Sequence, residues 1–246
     1  MIRFLTSDAL AANPDLADGM FRDRAAQFRG RLGWPVQVDA GGRERDQYDP
    51  LPAVYIIWQM PDGSHGGSMR AMPTTGRTMA AEHFADICGG PISDPDIWEC
   101  TRLALAPGAP RHVAAALMLG GQIFGMKLGL KRAVGVFDAP MTRVYARLGW
   151  APEPLGRRGD TRTGIGAGLW SFGPEIRDRL AARAGVCPRQ AEAWFARDLG
   201  HLAPVPQSLP QRVPQPVPAA PVHPAFAHAM VEAQTSRAAL RPAAAA

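Results

Sequence analysis

The stretch Asp96–Leu105, DIWECTRLAL, opens on Asp96 and then sets two opposite charges, Glu99 and Arg102, among largely apolar residues, bounded by Pro95 and by APGAP. Its composition and its flanking turn signals predict a β-strand over 96–105. A regular strand alternates its side chains, so residues three apart point to opposite faces. Glu99 and Arg102 therefore meet in one cleft only if a β-bulge lies between them, near Cys100–Thr101.

Strand and helix signals alternate on both sides of this stretch. Met1–Leu5 predicts a strand. Residues 14–33 begin with Pro14 at a helix-start position and place Leu16, Met20, Ala25, Phe28 and Leu32 at helical spacing. AVYIIWQM (53–60) and GSMRAMP (67–73) predict strands joined through Asp62-Gly63-Ser64, and a helix follows over 77–87. Beyond the quoted strand come an apolar helix over 111–129, a strand over 132–137, a helix over 140–149, and strands near 152–156 and 163–172. The economical arrangement is an α/β (mixed α+β) fold: one mixed sheet with helices on both faces.

PEIRDRLAARAGVCPRQAEAWFARDL (174–199) predicts two short helices. A helix-turn-helix reader would need a basic second helix, whereas this one carries Glu192 and Asp198, so a packing appendage is the better reading. From Ala203 the chain becomes proline-rich and ends in RPAAAA, which predicts an extended or disordered tail. The expected division is a catalytic domain over 1–173, a helical appendage over 174–202, and a tail over 203–246 that the chemistry does not need.

The 246 residues are 46% hydrophobic and 20% charged, ample for a globular core. No apolar run is long enough to span a bilayer, and the N-terminus lacks a secretory h-region. Three scattered cysteines suit a reducing cytoplasm and suggest neither a disulfide framework nor a zinc site. The net charge of +5 is spread along the chain, which argues against nucleic acid as a partner. The six histidines show no metal-binding spacing, so no metal and no cofactor is expected. Gly164-Ile165-Gly166-Ala167-Gly168 lacks the strand–turn–helix context of a dinucleotide site. Close backbone approach in a late strand explains it better.

The informative pattern is distributed. Arg24, Phe28 and Trp34 lie on the first long helix and its exit. GRERDQYDP (42–50) then packs five charges into nine residues, including Glu44, Asp46 and Asp49. Arg70 follows in a strand, Phe84 in a helix, and Glu99 and Arg102 in the strand quoted first. In this order and at these distances the set resembles the acyl-homoserine lactone synthases, the LuxI-type autoinducer synthases, over about residues 1–172.

The resemblance implies the fold of the GCN5-related N-acetyltransferases, whose central sheet splays to admit a pantetheine arm. It implies quorum-sensing signal synthesis from two substrates, S-adenosylmethionine and an acyl thioester on coenzyme A or acyl carrier protein. The methionine amine takes the acyl group, and the methionine carboxylate then displaces 5′-methylthioadenosine as the lactone closes. Carboxylates beside such a substrate stabilise its cationic groups and lead a proton away. Glu99 is expected to handle the proton through water, with Glu44 its competitor. Arg24, Asp46, Asp49, Arg70 and Arg102 are expected in the adenosylmethionine cleft, the alternative for each being an ion-pair network that closes the N-terminal lobe. Phe28 and Trp34 are expected to cover the sulfonium. Phe84 is counted with the cleft, although packing explains it as well.

Met118 and Phe124 are expected to border an acyl pocket with Gly135, which stands where many relatives that make 3-oxo-acyl lactones have a threonine. That favours an unsubstituted, branched or aryl acyl group. Lys127, Lys131, Arg132, Arg143 and Arg147 are the expected docking patch for an acidic carrier or coenzyme A, unless they form only a solvated basic face. A monomer or weak dimer is expected. The alternatives are an acetyltransferase-like enzyme that acylates another amine without closing a lactone, and a binding module that has lost catalysis.

Overall fold

The computed structural model describes residues 1–202, so the expected tail lies outside the described residues. Seven strands form one sheet in the order β1-β2-β3-β4-β5-β7-β6. They are β1 (Ile2–Thr6), β2 (Val54–Gln59), β3 (His65–Pro73), β4 (Ile97–Leu105), β5 (Arg132–Asp138), β6 (Glu153–Arg158) and β7 (Ile165–Ser171). All neighbours pair antiparallel except β4 and β5, which run parallel.

Period-2 alternation sends the two faces of the sheet to different cores. Ile2, Phe4, Val54, Ile56, Met69 and Ala71 face α5 (His112–Lys127), the crossover helix that a parallel β4–β5 connection requires. Leu5, Tyr55, Ile57 and Met72 face α1 (Ser7–Ala11) and α2 (Pro14–Ala25), which contribute Leu10, Leu16, Met20 and Phe21. Pro14 opens α2 where a missing N–H costs nothing.

Two predicted helices are interrupted. The segment predicted as one helix over 14–33 is α-helical to Ala25 and then π-helical over Ala26–Arg31, a widened turn that carries the buried Phe28. The helix predicted over 77–87 divides into α3 (Met79–His83) and α4 (Ala85–Cys88). The break falls at Phe84, which leaves helical geometry (φ −134°) and buries its ring with Ile87, Ile165 and Ala167.

Beyond β5, α6 (Met141–Leu148) ends at Gly149, where φ is +83° and a side chain would be strained. The final helices, α7 (Pro174–Ala184) and α8 (Pro188–Leu199), bury Leu180, Ala184, Ala191, Phe195 and Leu199 in the same core as α5. Asp198 accepts the Phe4 backbone N–H at 2.9 Å, so α8 covers part of edge strand β1. In β7, a Cβ at Gly168 would stand 2.7 Å from the Pro152 Cβ, so close approach accounts for that glycine.

The bulge lies slightly beyond the place proposed for it. Ser68 pairs with Ala104 but Arg70 pairs with Thr101, so β4 carries an extra residue at Arg102–Leu103 rather than at Cys100–Thr101. Arg102 has φ +56°, the one positive φ outside glycine among the described residues. Such a conformation costs about 1–2 kcal/mol. It turns the Arg102 side chain back to the face that carries Glu99 and Thr101. On its other side β4 meets β5 through only three residue pairs, from Ile97–Arg132 to Glu99–Val134, and then the strands part.

Candidate functional site

Behind the parting strands is a closed ring of six charges. Arg24 donates from Nε to Glu44 at 2.6 Å and through both Nη atoms to Asp49 at 2.8 and 3.0 Å. Arg70 grips Asp46 with two bonds of 2.7 and 2.8 Å and reaches Asp49 at 2.7 Å. Arg102 closes the circuit, with Nη2 2.8 Å from Asp46 and 3.2 Å from Glu44. Tyr55 adds a hydroxyl bond of 3.0 Å to Asp49.

The ring is almost entirely buried: Arg24, Glu44 and Arg70 are each no more than 1% exposed. Burial would raise the carboxyl groups of Asp46 and Asp49, but the facing arginines outweigh it and hold both below the usual range. The loop crowded with acids is thus folded inward as the neutralising half of a three-plus-three cluster. A loop this short and this charged closes only because α2, β3 and β4 each bring one arginine to it.

Glu99 stands apart from the ring. Its two oxygens accept the N–H groups of Met79 (3.1 Å) and Ala80 (2.6 Å) at the start of α3, a turn also capped by Thr78. Burial raises Glu99 to about 7 despite these donors. It is therefore poised to exchange a proton near neutrality.

Two cavities adjoin Arg102, and one of them also Met79, while the fully buried Glu99 borders neither. The outer cleft, of about 460 Å³, is bordered by Phe28, Trp34, Met79, Arg102 and Phe137 among others. Phe28 and Trp34 stack at 5.2 Å with 9° between their planes, and the Arg102 guanidinium lies 5.5 Å from the Phe28 ring. The inner chamber, of about 70 Å³, has Cys100, Met118, Gly135, Trp150 and Trp170 in its walls. Thr101, Arg102, Leu103, Val136 and Tyr145 belong to both.

The sequence-predicted residues thus separate into groups. Arg24, Glu44, Asp46, Asp49, Arg70 and Arg102 meet in the ring, and of these only Arg102 also borders the cleft. Phe28 and Trp34 border the cleft; Met118 and Gly135 border the chamber. Phe84 borders neither, and Arg158 covers its ring at 5.1 Å. Phe124 packs edge-on against Trp98 at 5.1 Å, away from the chamber walls.

The basic residues form no single patch. Lys127 pairs with Glu192 at 3.0 Å, Lys131 with Asp96, and Arg132 donates to the Lys131 carbonyl at 3.0 Å. Arg143 and Arg147 stand exposed on α6, whose Met141, Val144 and Leu148 border the cleft.

Sequence reasoning passed over Thr101, Met79 and Tyr145. Thr101 was within reach, because it lies two residues from Glu99 and so shares its face. Thr78 was a readable helix cap that would have placed the Met79 N–H beside an acceptor. Tyr145 gave no signal beyond an aromatic on an amphipathic helix.

The family model for autoinducer synthases matches residues 7–162. An acyl-homoserine-lactone synthase of Rhizobium etli is 40% identical over 207 residues, 81% of this chain and 97% of that protein. One of Agrobacterium fabrum is 31% identical over 179 residues, 69% of this chain and 82% of that protein. Among solved structures, the coenzyme A-dependent acyl-homoserine lactone synthase BjaI has a TM-score of 0.69 at 24% identity, covering 76% of this chain and 90% of its own. The acyl-homoserine lactone synthase LasI has a TM-score of 0.64 at 22% identity, covering 74% and 94%. Those two likenesses are of fold.

Proposed function

This chain belongs to the autoinducer synthase family, and from that premise we propose the reaction it performs. It is an acyltransferase that makes an N-acyl-L-homoserine lactone. The α-amine of S-adenosylmethionine loses a proton and attacks the carbonyl of an acyl thioester, forming the amide and releasing the thiol. The methionine carboxylate then attacks its own γ-carbon, the carbon–sulfonium bond breaks, and 5′-methylthioadenosine leaves as the lactone closes.

The observation that carries this reading is the cleft between β4 and β5, lined by an aromatic pair and Arg102, with a largely apolar chamber that shares part of its wall. In this reading the acyl chain enters the chamber and adenosylmethionine lies against Phe28 and Trp34. Arg102 takes its carboxylate end, and the other ring members fix Arg102. Glu99 receives the amine proton through water. Its near-neutral value favours it over Glu44, which is committed to Arg24 and Arg102. Arg143 and Arg147 are the basic residues in reach of an acidic carrier or of coenzyme A phosphates. The reaction belongs in the cytoplasm, and among the described residues no helix is long and apolar enough to cross a membrane.

The test is incubation with S-adenosylmethionine and a panel of acyl-coenzyme A and acyl-carrier donors. Methylthioadenosine and lactone should appear together. Thiol release without methylthioadenosine would indicate acylation of another amine instead.

Gly135 offers a second measurement. A Cβ there would stand 3.0 Å from the Trp170 ring and 3.2 Å from the Cys100 carbonyl oxygen, against the chamber wall. Gly135→Ala should narrow the chamber and shift preference toward shorter acyl groups. Since one methylene in an apolar pocket is worth roughly 10–200-fold in discrimination, the shift should be plain in a competition between a butanoyl and an octanoyl donor. An unchanged ratio would place the acyl chain elsewhere.

A further inference from the structure

Resting on the synthase reading above, we propose that the hydrogen bond between Tyr48 and Glu82 joins the ring of charges to the turn that holds Glu99. Both are positioning residues, and they set the two halves of the site as one unit. Tyr48 belongs to the loop crowded with acids. Its backbone N–H donates to Asp46 at 3.0 Å, and its hydroxyl crosses to Glu82 on α3 at 2.9 Å. The residue between these two anchors is 2% exposed, and the guanidinium groups of Arg70 and Arg77 each lie 5.7 Å from the centre of its phenol ring. Arg77 in turn grips Glu82 with bonds of 2.6 and 3.1 Å.

The bond matters because α3 cannot hold itself. A helix of five residues is far too short to be stable alone. Its place is set by the Thr78 cap, by the packing of Met79 and Ala80, and by the Tyr48–Glu82 bond. Met79, whose N–H Glu99 accepts, packs against the same core cluster as Tyr48. Burial pushes the Tyr48 phenol up, so it remains a donor. Burial also works against ionisation of Glu82, but Arg77 and the Tyr48 hydroxyl outweigh it and hold that carboxyl below its usual range. At neutral pH the strut is therefore a charge-assisted bond.

Loss of the strut should reach Glu99 through its donors. With α3 less firmly seated, the Met79 and Ala80 N–H groups stabilise the Glu99 carboxylate less, and its proton is held to higher pH. The other charged or titratable groups within reach of Glu99 are Arg70 on β3, Arg102 on its own strand, the thiols of Cys88 and Cys100, and the Tyr48 phenol. Tyr48→Phe removes no charge. Glu82→Ala removes a negative one, which by itself would ease ionisation of Glu99 and move its titration the other way.

The experiment follows kcat for methylthioadenosine release against pH, and hydrogen exchange at the Met79 and Ala80 amides. It compares wild type, Tyr48→Phe, Glu82→Ala and the double variant. Either single variant should move the limb near 7 upward by about one unit, the effect of one weakened N–H bond to a carboxylate. At neutral pH that is a loss of about fivefold, recovered in alkali, while the KM for S-adenosylmethionine changes little. Amide exchange should quicken in both. The double variant should shift no further than the single ones, because the two residues act through one bond. A limb that stays in place, whether or not the rate falls, would overturn the proposal, and so would shifts that add in the double variant. Glu82 is partly exposed, so its variant decides the matter if Tyr48→Phe does not fold. Failure of the wild type to release methylthioadenosine removes the synthase reading, and amide exchange then still tells whether the strut seats α3: unchanged exchange would overturn the coupling too.

Discussion

Glu99→Gln lowers turnover by about 10²–10⁴-fold, the usual worth of a positioned general base, while the affinity for S-adenosylmethionine changes little. The wild-type rate should rise with pH through about 7, as the buried Glu99 carboxyl loses its proton. In the variant that limb should vanish, and part of the activity should return at higher pH, where more substrate amine is free without help. The variant also disturbs α3, because both Glu99 oxygens accept backbone N–H groups and an amide offers only one oxygen to the pair. A melting curve and a calorimetric titration with S-adenosylmethionine separate that structural effect from the chemical one. Near-normal turnover at neutral pH would take Glu99 out of the mechanism and transfer its role to Glu44.

Arg70→Met should destabilise the fold by about 3–5 kcal/mol, because it strands buried Asp46 and Asp49 without their shared cation. For a domain of this size that corresponds to a fall in Tm of roughly 10 °C. The loss should depend on pH in a definite direction. Asp46 and Asp49 have folded-state values held below their ordinary ones, so their pairing stabilises the native state above the usual carboxylate range. That contribution fades as pH falls toward the depressed values. The gap between wild type and variant should therefore be widest near neutrality and narrow in acid. Paired melts at neutral and acidic pH measure it, and a neutral-pH gap below about 1 kcal/mol would show that water replaces the guanidinium at little cost.

Much of the scaffold was legible because it depends on short-range rules. Strand-forming composition between turn signals identified β2, β3 and β4, the apolar run identified α5, and Pro14 marked the start of α2. The departures came from tertiary demands. Phe84 leaves helical geometry to fill a pocket between α4 and β7, and no local propensity records that preference. The widened turn at Ala26–Arg31 keeps the helical pattern of its sequence, so the change from α to π is invisible in spacing. The bulge was required by the charges of Glu99 and Arg102, but its place was set by Arg102 reaching Glu44 and Asp46. For the site, the residue types were readable and their partners were not. Nothing in the chain order says that Glu44 joins Arg24 and Arg102, or that Glu99 leaves the cluster for the Met79 and Ala80 amides. Those pairings are decided by which face each strand presents once the sheet has formed.

The brief contact between β4 and β5 gives the sheet the mechanics of two plates on a short hinge. One plate is β1-β2-β3-β4 and the other β5-β7-β6, and three residue pairs join them. Past Glu99 no ladder resists a change in the angle between the plates, and only the helix layer and the cavity walls do. A molecule lodged in that wedge is therefore also a brace. It contributes to cohesion along the line where backbone pairing is absent, and its occupancy raises global stability by mass action. For this architecture, tightness of binding and stiffness of the sheet are one property read at two places.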